Sequence, residues 1–370
     1  MASGIPQNSR LRAIFALLAL FAFLLIGAGL LVRGALKPND PRSGERIVIE
    51  VSHGESPGQI TRKLETEKIV GSARILYWIG RVNGAWGRVK AGEYEFSPAM
   101  PALKILETLT SGISVSHPFL VREGENIYEI AEDVQAKGYG SAKHFLVLAK
   151  SPAFIEKLGF NPPTPASLEG YLFPDTYGLQ RKMTQEEILR LMVKRFQAAW
   201  GANEEQRAKE LGMDRNRLIT LASVVEKETG APEERPIIAG AFYNRLKKGM
   251  KLQSDPTIIY GIWERYHGKI HKSDILAPSA YNTYVIPGLP IGPISNPGAQ
   301  AIHAVLYPAE HHFLYFVSHN DGTHEFTSTY EEHAAAVRKF QLDPAAREGK
   351  SWRDLNKRPL NPKPTPRPNG

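Results

Sequence analysis

The sequence of 370 residues contains no cysteine. A disulfide framework is therefore excluded, but this absence fits an oxidising compartment and the cytosol equally well. Zinc-binding spacing of the H-E-x-x-H type is also missing, although six of the eleven histidines lie between positions 303 and 333. Adjacent residues of a strand face opposite sides, so His311 and His312 could not join in one site. We predict no metal and no other cofactor, and keep a zinc hydrolase as a third interpretation.

The middle of the chain lacks a net charge of either sign. The formal net charge is +8, but residues 1–42 hold five Lys/Arg against one Asp, and residues 350–370 hold six against one. The 307 residues between them therefore carry about −1. A basic groove is unsupported, and we predict no nucleic-acid partner. Residues 343–370 are basic, rich in proline and poor in apolar side chains, which is typical of a disordered tail.

The chain has one long apolar run. Residues 13–32 form twenty consecutive positions without a charge, which is long enough to cross the roughly 30 Å hydrocarbon core of a bilayer as a helix. No A-x-A-like cleavage site follows it, so we predict an uncleaved transmembrane signal anchor after a short cytoplasmic stretch, 1–12. The positive charges of the linker, 33–46, argue against export of the remainder, although long domains are translocated largely regardless of such charges.

A strand-helix-helix pattern occurs twice in residues 47–160. Residues 119–134 match residues 49–64 at an offset of 70, with Gly124 on Gly54 and Glu125 on Glu55. We interpret this as a degenerate internal repeat. The unit is similar to lysin-motif modules, which hold glycan chains in a shallow groove, and the alternative is a packing module that spaces the next domain from the bilayer.

The composition changes near residue 160, where we place a domain boundary. A capping box at Thr184 and Glu187 starts an amphipathic helix, residues 279–298 are too rich in Gly and Pro for regular structure, and a hairpin is expected around Asn320. The predicted fold class is α+β, with a single N-terminal transmembrane helix, a lysin-motif-like α+β subdomain at 47–160 and a mixed α/β catalytic domain at 161–342.

One acidic residue lies on an apolar helix face. Glu226 shares an arc with Leu218, Leu221, Ala222 and Val225, opposite a polar face at Thr220 and Ser223. Its place in the last helical turn and its partial burial both raise the pKa of the carboxyl, which suits a general acid. Glu228 lies about 200° further round the helix, so the two glutamates are not a dyad. A glutamate buried for structural reasons is the alternative.

Polar and aromatic side chains are concentrated in the predicted loops around Glu226. Amides, hydroxyls and flat rings with little net charge suit a sugar, which needs hydrogen-bond partners and stacking faces. We expect these side chains to line an open cleft beside Glu226. The group comprises Glu169, Tyr171, Asp175, Tyr177, Gln253, Ser254, Asp255, Tyr281, Asn282, Thr283 and Tyr284.

Five blocks of sequence carry a specific resemblance. They are LEGYLFPDTY (168–177), ASVVEKET (222–229), FYNRLKKGMKLQSDPTIIYG (242–261), YNTYVIPGLPIGPISNPG (281–298) and YFVSHNDGTHEF (315–326). In order and spacing they resemble the signature blocks of the endolytic murein transglycosylase family (MltG or YceG-like), over about residues 47–340.

The resemblance implies a single-pass inner-membrane lyase whose bulk is periplasmic. Such an enzyme cuts the MurNAc-GlcNAc β-1,4 bond inside peptidoglycan glycan strands and leaves a 1,6-anhydro-MurNAc end. The family's catalytic glutamate falls on Glu226, and the family's cleft motifs fall on 253–255 and 281–283, where we expect substrate contacts. Peptidoglycan synthases are partners that only the family implies.

Two further interpretations stay open. A muramidase-type hydrolase would use Asp255 or Glu169 as a second carboxylate beside Glu226. A non-catalytic, membrane-anchored peptidoglycan-binding scaffold would bind strands and cut nothing.

Overall fold

The computed structural model describes residues 7–112 and 115–343. The α-helices, numbered in chain order, are α1 (Gln7–Leu36), α2 (Pro57–Thr66), α3 (Ala73–Val82), α4 (Ala102–Ser111), α5 (Ile127–Ala136), α6 (Ala142–Ala149), α7 (Pro152–Glu156), α8 (Gln185–Ala199), α9 (Ala202–Glu210), α10 (Arg215–Glu228), α11 (Arg235–Lys247), α12 (Asp255–Gly261), α13 (Lys272–Leu276), α14 (Ala299–Leu306) and α15 (Tyr330–Val337). The strands are β1 (Ile47–Val51), β2 (Gly92–Phe96), β3 (His117–Val121), β4 (Asp175–Leu179), β5 (Tyr315–Ser318) and β6 (His324–Thr327).

The strands form small sheets between many helices. β1 pairs with β2 in antiparallel register, with Val51 opposite Gly92. β3 pairs with β4, and β5 pairs with β6 as the hairpin expected around Asn320, with Ser318 opposite His324. This mixture confirms the predicted α+β class.

Helix α1 contains the apolar run 13–32 and extends beyond it at both ends. Several of its large apolar side chains are exposed, including Phe15, Leu17, Phe21 and Phe23. Within 7–112 and 115–343, no helix combines the length and the apolar character needed to cross a membrane.

The described chain divides into two compact units. One takes the chain up to Pro118 together with Gly178–Lys182, and the other takes Phe119–Tyr177 and the chain from Met183 onward. Residues 119–160 therefore belong to the unit that contains Glu226, whereas the sequence places a boundary near 160. The reason is hydrogen bonding: the Gly124 N–H donates to the Asn296 carbonyl at 2.9 Å, and the Asn296 N–H donates to the Glu125 carbonyl at 2.8 Å.

The strand-helix-helix order recurs along the chain. The starts of β1, α2 and α3 precede those of β3, α5 and α6 by 70, 70 and 69 residues. Both copies turn at a glycine with positive φ, +77° at Gly54 and +79° at Gly124, a conformation that side chains disfavour. In each turn a glutamate side chain accepts a backbone N–H. Glu55 accepts from Ser52 at 2.8 Å, and Glu125 accepts from Arg122 at 3.0 Å.

The first unit has its own core, built around Tyr94, Phe96 and Leu64. A depression of about 620 Å³ lies between β1 and α2, lined by residues that include Glu50, Glu55, Gln59 and Lys63. The assignment of residues 47–160 as a lysin-motif-like subdomain with an internal repeat stays a prediction.

Helix α10 is the centre of the second unit. Every residue from Leu218 to Glu226 is buried, so the expected polar face of Thr220 and Ser223 does not reach solvent. Burial is possible because both hydroxyls find partners: Thr220 Oγ1 donates to the Asn216 carbonyl, and Ser223 Oγ donates to the Thr220 carbonyl, each at 2.7 Å. The amphipathic pattern is therefore wrong for residues 218–226 of α10, which are all buried, whereas Arg217 and Lys227 on either side of them are exposed.

Candidate active site

Glu226 lies in the last turn of α10, as the sequence predicts, and both of its carboxylate oxygens have partners. Arg235 Nη2 donates to Oε1 at 2.8 Å, and the Gly298 N–H donates to Oε2 at 2.9 Å. Gly298 is the N-cap of α14, so the carboxylate meets the positive end of one helix at the negative end of another. The side chain of Glu226 is 4% exposed. The two hydrogen bonds therefore favour the charged carboxylate, whereas burial opposes it.

Burial raises the pKa of Glu226 above its ordinary value. The hydrogen bond from Gly298 and the charge of Arg235 act in the opposite direction, while the nearby charge of Glu123 raises the pKa further. The direction agrees with the sequence prediction. The open cleft expected beside the carboxyl stays a prediction, and in the structure an ion pair with Arg235 encloses this carboxyl. The cause is the sharp return of the chain after α10, which brings Arg235 back to a carboxylate nine residues earlier.

Arg235 is the charged partner of Glu226, and the sequence analysis missed it. Its side chain is 8% exposed, and besides Glu226 it reaches Gln300 through Nη1 at 2.6 Å. Nη2 also lies 3.7 Å from Oε2 of Glu123, whose side chain is 48% exposed. The Nε of Arg235 is buried and has no hydrogen-bond partner. A buried carboxylate needs a cationic partner, and this requirement was the available signal.

The turn of the second repeat copy covers Glu226. A Cβ added to Gly124 would lie 3.6 Å from Glu226 Cγ and 3.5 Å from Lys227 Cδ. Lys227 Nζ donates to the Gly124 carbonyl at 3.0 Å. Asn296, which is fully buried, holds this turn through Nδ2 to the Glu125 carbonyl at 2.9 Å. The turn and the loop before α14 together make one wall of the site.

Several predicted substrate contacts gather at Glu228 and not at Glu226. Ser254 Oγ donates to Glu228 Oε1, and the Tyr284 hydroxyl donates to Asp255 Oδ1 at 2.7 Å. Burial raises the pKa of Glu228 to about 7, and the charge of Asp255 adds to this effect. Gln253 is exposed and has a φ of +50°, which is uncommon for a residue with a side chain. Since Glu228 points to another side of α10, this group lies apart from the Glu226 ion pair.

Some of the predicted site residues are buried and have structural roles. The Tyr171 ring packs edge-on against Phe196, and its hydroxyl donates to Asn216. Asn282 Nδ2 donates to three carbonyls at the end of α13, and Thr283 Oγ1 accepts the Ser254 N–H at 3.0 Å. The direct contacts expected for Tyr171, Asn282 and Thr283 are therefore corrected: these side chains hold the loops in place. Likewise Tyr177 is buried, and Asp175 is paired with Arg195.

Glu169 is also enclosed. Its Oε2 accepts the Ile127 N–H at 3.0 Å, and its Oε1 accepts from Asn296 Nδ2 at 3.2 Å. Burial raises the pKa of this carboxyl to about 8. Glu169 ties the start of α5 to the loop before α14, and it does not face solvent as the predicted substrate contact would.

A group of aromatic rings lies beside Glu169, of which Tyr260 is buried and the others are half-buried. Tyr281 meets Tyr260 edge-on with ring centroids 4.8 Å apart, and Tyr128 stacks on Trp263 at 5.9 Å. Tyr281 keeps the partial exposure that its predicted stacking role requires. Tyr128 and Trp263 were missed, because neither lies in a block that the sequence analysis singled out.

The histidines take up separate positions. His324 Nδ1 lies 2.7 Å from Glu234 Oε2, and His319 Nε2 lies 3.1 Å from Glu325 Oε2. Among the residues that the structure describes, no group of three or more His, Asp or Glu is placed to hold a metal ion.

The chain is similar to known proteins over most of its length. The profile of the YceG-like family matches residues 49–339. An endolytic murein transglycosylase from Bacillus subtilis (strain 168) is 31% identical over 331 residues, which cover 86% of this chain and 91% of that one. One from Streptococcus pneumoniae serotype 2 is 29% identical over 338 residues, 82% of this chain and 60% of that one.

A solved structure supports the same relationship. The crystal structure of a putative yceG-like protein from Listeria monocytogenes superimposes with a TM-score of 0.55 at 32% sequence identity, covering 79% of this chain and 99% of that one. The resemblance predicted from the five sequence blocks is therefore confirmed. From the profile match and the two kinds of relative, this chain belongs to the YceG-like family.

Proposed function

We propose that this chain is an endolytic lytic transglycosylase that cleaves peptidoglycan glycan strands with Glu226 as general acid and base. The family and the names of the relatives confirm the predicted enzyme class, a lyase that acts on murein. The observation that carries the assignment of Glu226 is a carboxyl enclosed at the end of an apolar helix, with its pKa raised by burial. A raised pKa increases the fraction of the carboxyl that holds a proton at a given pH, which is what a general acid requires.

The reaction needs one carboxyl and no water. Glu226 donates its proton to the oxygen of the MurNAc-GlcNAc bond, and the bond between that oxygen and C1 of MurNAc breaks. The C6 hydroxyl of the same MurNAc attacks C1 and passes its proton to the Glu226 carboxylate. The acid is thus restored, and the product carries a 1,6-anhydro-MurNAc end.

Protonation of Glu226 requires a rearrangement of its partners. In the structure Oε1 is occupied by Arg235 and Oε2 by the Gly298 N–H. A protonated oxygen cannot offer the same charge-assisted hydrogen bond to a guanidinium. The reactive state therefore has Arg235 moved away from Oε1, which also opens that oxygen to a sugar.

The candidates for substrate contacts are the predicted residues that keep some exposure: Gln253, Asp255 and Tyr284 on the Glu228 side of α10, and Tyr281 beside Tyr260. Gln253 and Asp255 are exposed, and Tyr281 and Tyr284 are half-buried. These side chains offer an amide, a carboxylate and two rings, which suit the hydroxyls and the apolar faces of amino sugars. Ser254 is buried and donates to Glu228, so its role is to hold this loop.

The hydrolase interpretation is less well supported by the geometry. A second carboxylate must face the sugar across the cleaved bond. Glu169 is bound to Ile127 and Asn296 in the interior, and Asp255 lies with Tyr284 on the Glu228 side of α10. Neither carboxylate is presented beside Glu226.

The end groups of digested strands test the proposed chemistry. Incubation of the full chain with purified glycan strands should yield fragments that end in 1,6-anhydro-MurNAc, each lighter by one water than a reducing end, as measured by mass spectrometry. Reducing ends would instead establish the muramidase-type hydrolase. Strands that are bound but remain uncut would establish the non-catalytic scaffold.

The proposed location is the inner membrane, with α1 as a single-pass anchor and the remaining chain in the periplasm. The proposal rests on the sequence alone, in which residues 13–32 form an uncharged run of twenty, because none of the described helices has the length and apolar character of a membrane span. The full chain should sediment with membranes and resist alkaline carbonate, whereas a Leu18→Lys, Ile26→Lys double variant should be extracted. Extraction of the unchanged chain would contradict the anchor.

A further inference from the structure

Two carboxylates of the second unit share one guanidinium. Arg235 Nη2 lies 2.8 Å from Glu226 Oε1 and 3.7 Å from Glu123 Oε2. Glu226 is enclosed at 4% exposure, and Glu123 is 48% exposed. The three side chains come from α10, from the turn after β3 and from the first residue of α11. They form a cluster in which the exposed carboxylate can move and the enclosed one cannot.

We propose that Glu123 is a positioning residue that takes Arg235 from Glu226 when Glu226 becomes protonated. This inference rests on the proposed function, because it concerns the proton that Glu226 donates. Glu123 acts through Arg235 and does not touch the reacting bond. The exchange moves one hydrogen bond of the guanidinium from Oε1 of Glu226 to Oε2 of Glu123, and no covalent bond changes.

The surroundings of Arg235 favour such an exchange. Once Glu226 is neutral, a guanidinium that is 8% exposed would be left without an anion, which is costly in a buried position. Among the described residues, Glu123 is the other carboxylate within 4.0 Å of it. The buried Nε of Arg235 has no hydrogen-bond partner. One donor of the guanidinium is therefore unused, and its hydrogen bonds do not fix the group completely.

Glu123 also lies close to the backbone of Gly298. A Cβ at Gly298 would collide with the Glu123 carboxylate. The same glycine donates its N–H to Glu226 Oε2 at 2.9 Å. Glu123 therefore lies directly over the backbone that binds the acid, and its shift toward Arg235 requires no movement of α10 or α14.

The other charged groups around the ion pair are engaged elsewhere. Lys227, next to Glu226 on α10, donates to the Gly124 carbonyl at 3.0 Å. Glu234, next to Arg235, accepts from the backbone N–H of His324 at 2.8 Å and contacts Nδ1 of the same residue. On α14 the partner of Arg235 is Gln300, which is uncharged. Arg235 therefore has two carboxylates with which it can form an ion pair, Glu226 and Glu123.

The test is the pH profile of strand cleavage by Glu123→Gln in the full chain. Without the charge of Glu123, Arg235 stays on Glu226 and the pKa of the acid falls. Because Glu226 must be protonated to react, the rate declines as pH rises through this pKa, and the decline should begin at lower pH. We expect a loss of about three- to tenfold at pH values above the pKa of Glu226 and a wild-type rate at the acidic end of the profile.

Two matched variants sharpen the result. Glu123→Asp keeps the charge and should restore most of the wild-type profile. Glu132→Gln removes an exposed glutamate from α5 and should leave the profile unchanged. A wild-type profile for Glu123→Gln, or an equal loss at every pH, would overturn the inference. Full activity of Glu226→Gln would instead overturn the proposed function, so the two failures are distinguishable.

A structural readout tests the exchange without any activity measurement. In Glu226→Gln the neutral amide mimics the protonated acid. A crystal structure of this variant should show Arg235 within hydrogen-bond distance of Glu123. Arg235 still on residue 226, with Glu123 no closer than in the wild type, would overturn the inference.

Discussion

Replacement of Glu226 by glutamine is expected to lower the rate of glycan-strand cleavage by at least about a hundredfold. General acid-base groups typically contribute factors of about 10² to 10⁴, and in this reaction the same carboxyl both donates and accepts the proton. The amide has no transferable proton at neutral pH, but it keeps the shape of the side chain. The measurement is the initial rate of appearance of anhydro ends from purified strands.

The matched control is Glu228→Gln on the same helix, two residues further on. Its amide can still accept a hydrogen bond from Ser254, so we expect cleavage within about tenfold of the wild type at neutral pH. Circular dichroism and thermal unfolding establish that both variants are folded. If Glu228→Gln lost cleavage and Glu226→Gln retained it, the role of proton donor would be assigned to Glu228.

The same Glu228→Gln variant should be more stable than the wild type at neutral and alkaline pH. Burial raises the pKa of Glu228 from its ordinary 4.5 to about 7, so the folded state holds this proton more tightly than the unfolded state does. The free energy of unfolding of the wild type therefore decreases as pH rises from about 4.5 to about 7. A glutamine does not ionise, so the variant does not lose this free energy of unfolding. The loss in the wild type amounts to about 3 kcal/mol when Glu228 is fully ionised.

The stability that Glu228→Gln gains over the wild type should depend on pH. The stability difference between Glu228→Gln and the wild type should grow from pH 4.5 to pH 7 and then level off, as measured by urea unfolding at a series of pH values. Glu156→Gln removes an exposed glutamate at the end of α7 and should change the free energy of unfolding by less than about 0.5 kcal/mol at every pH. A difference that does not vary with pH would contradict a raised pKa at Glu228.

Local signals in the sequence were sufficient for the elements that carry the site. Thr184 caps α8 by accepting the Glu187 N–H, and α10 ends at Glu228, just before Gly230 and Pro232. These features depend on residues within one turn of each other, whose chemistry is visible in a short stretch of sequence. The family blocks then supplied the identity of the acid.

The partners of the acid could not be predicted in the same way. Glu123 lies more than one hundred residues before Glu226, and Arg235 reaches back across a turn that the sequence marks only as a helix stop. Burial of Tyr171 and Thr283 likewise depends on which loops pack together. Periodicity says which side chains share a face, but it does not say which distant segment covers that face.

The two glycine turns, at Gly54 and Gly124, differ in the side chains that surround them. Around Gly54 an added methyl group would meet nothing within 4 Å, whereas at Gly124 it would touch Glu226, the proposed acid, and Lys227. Each turn needs glycine for its left-handed backbone. A substitution in the earlier turn is therefore expected to act only through its own backbone, while the equivalent substitution in the later turn would also press on the side chains of the proposed reaction centre.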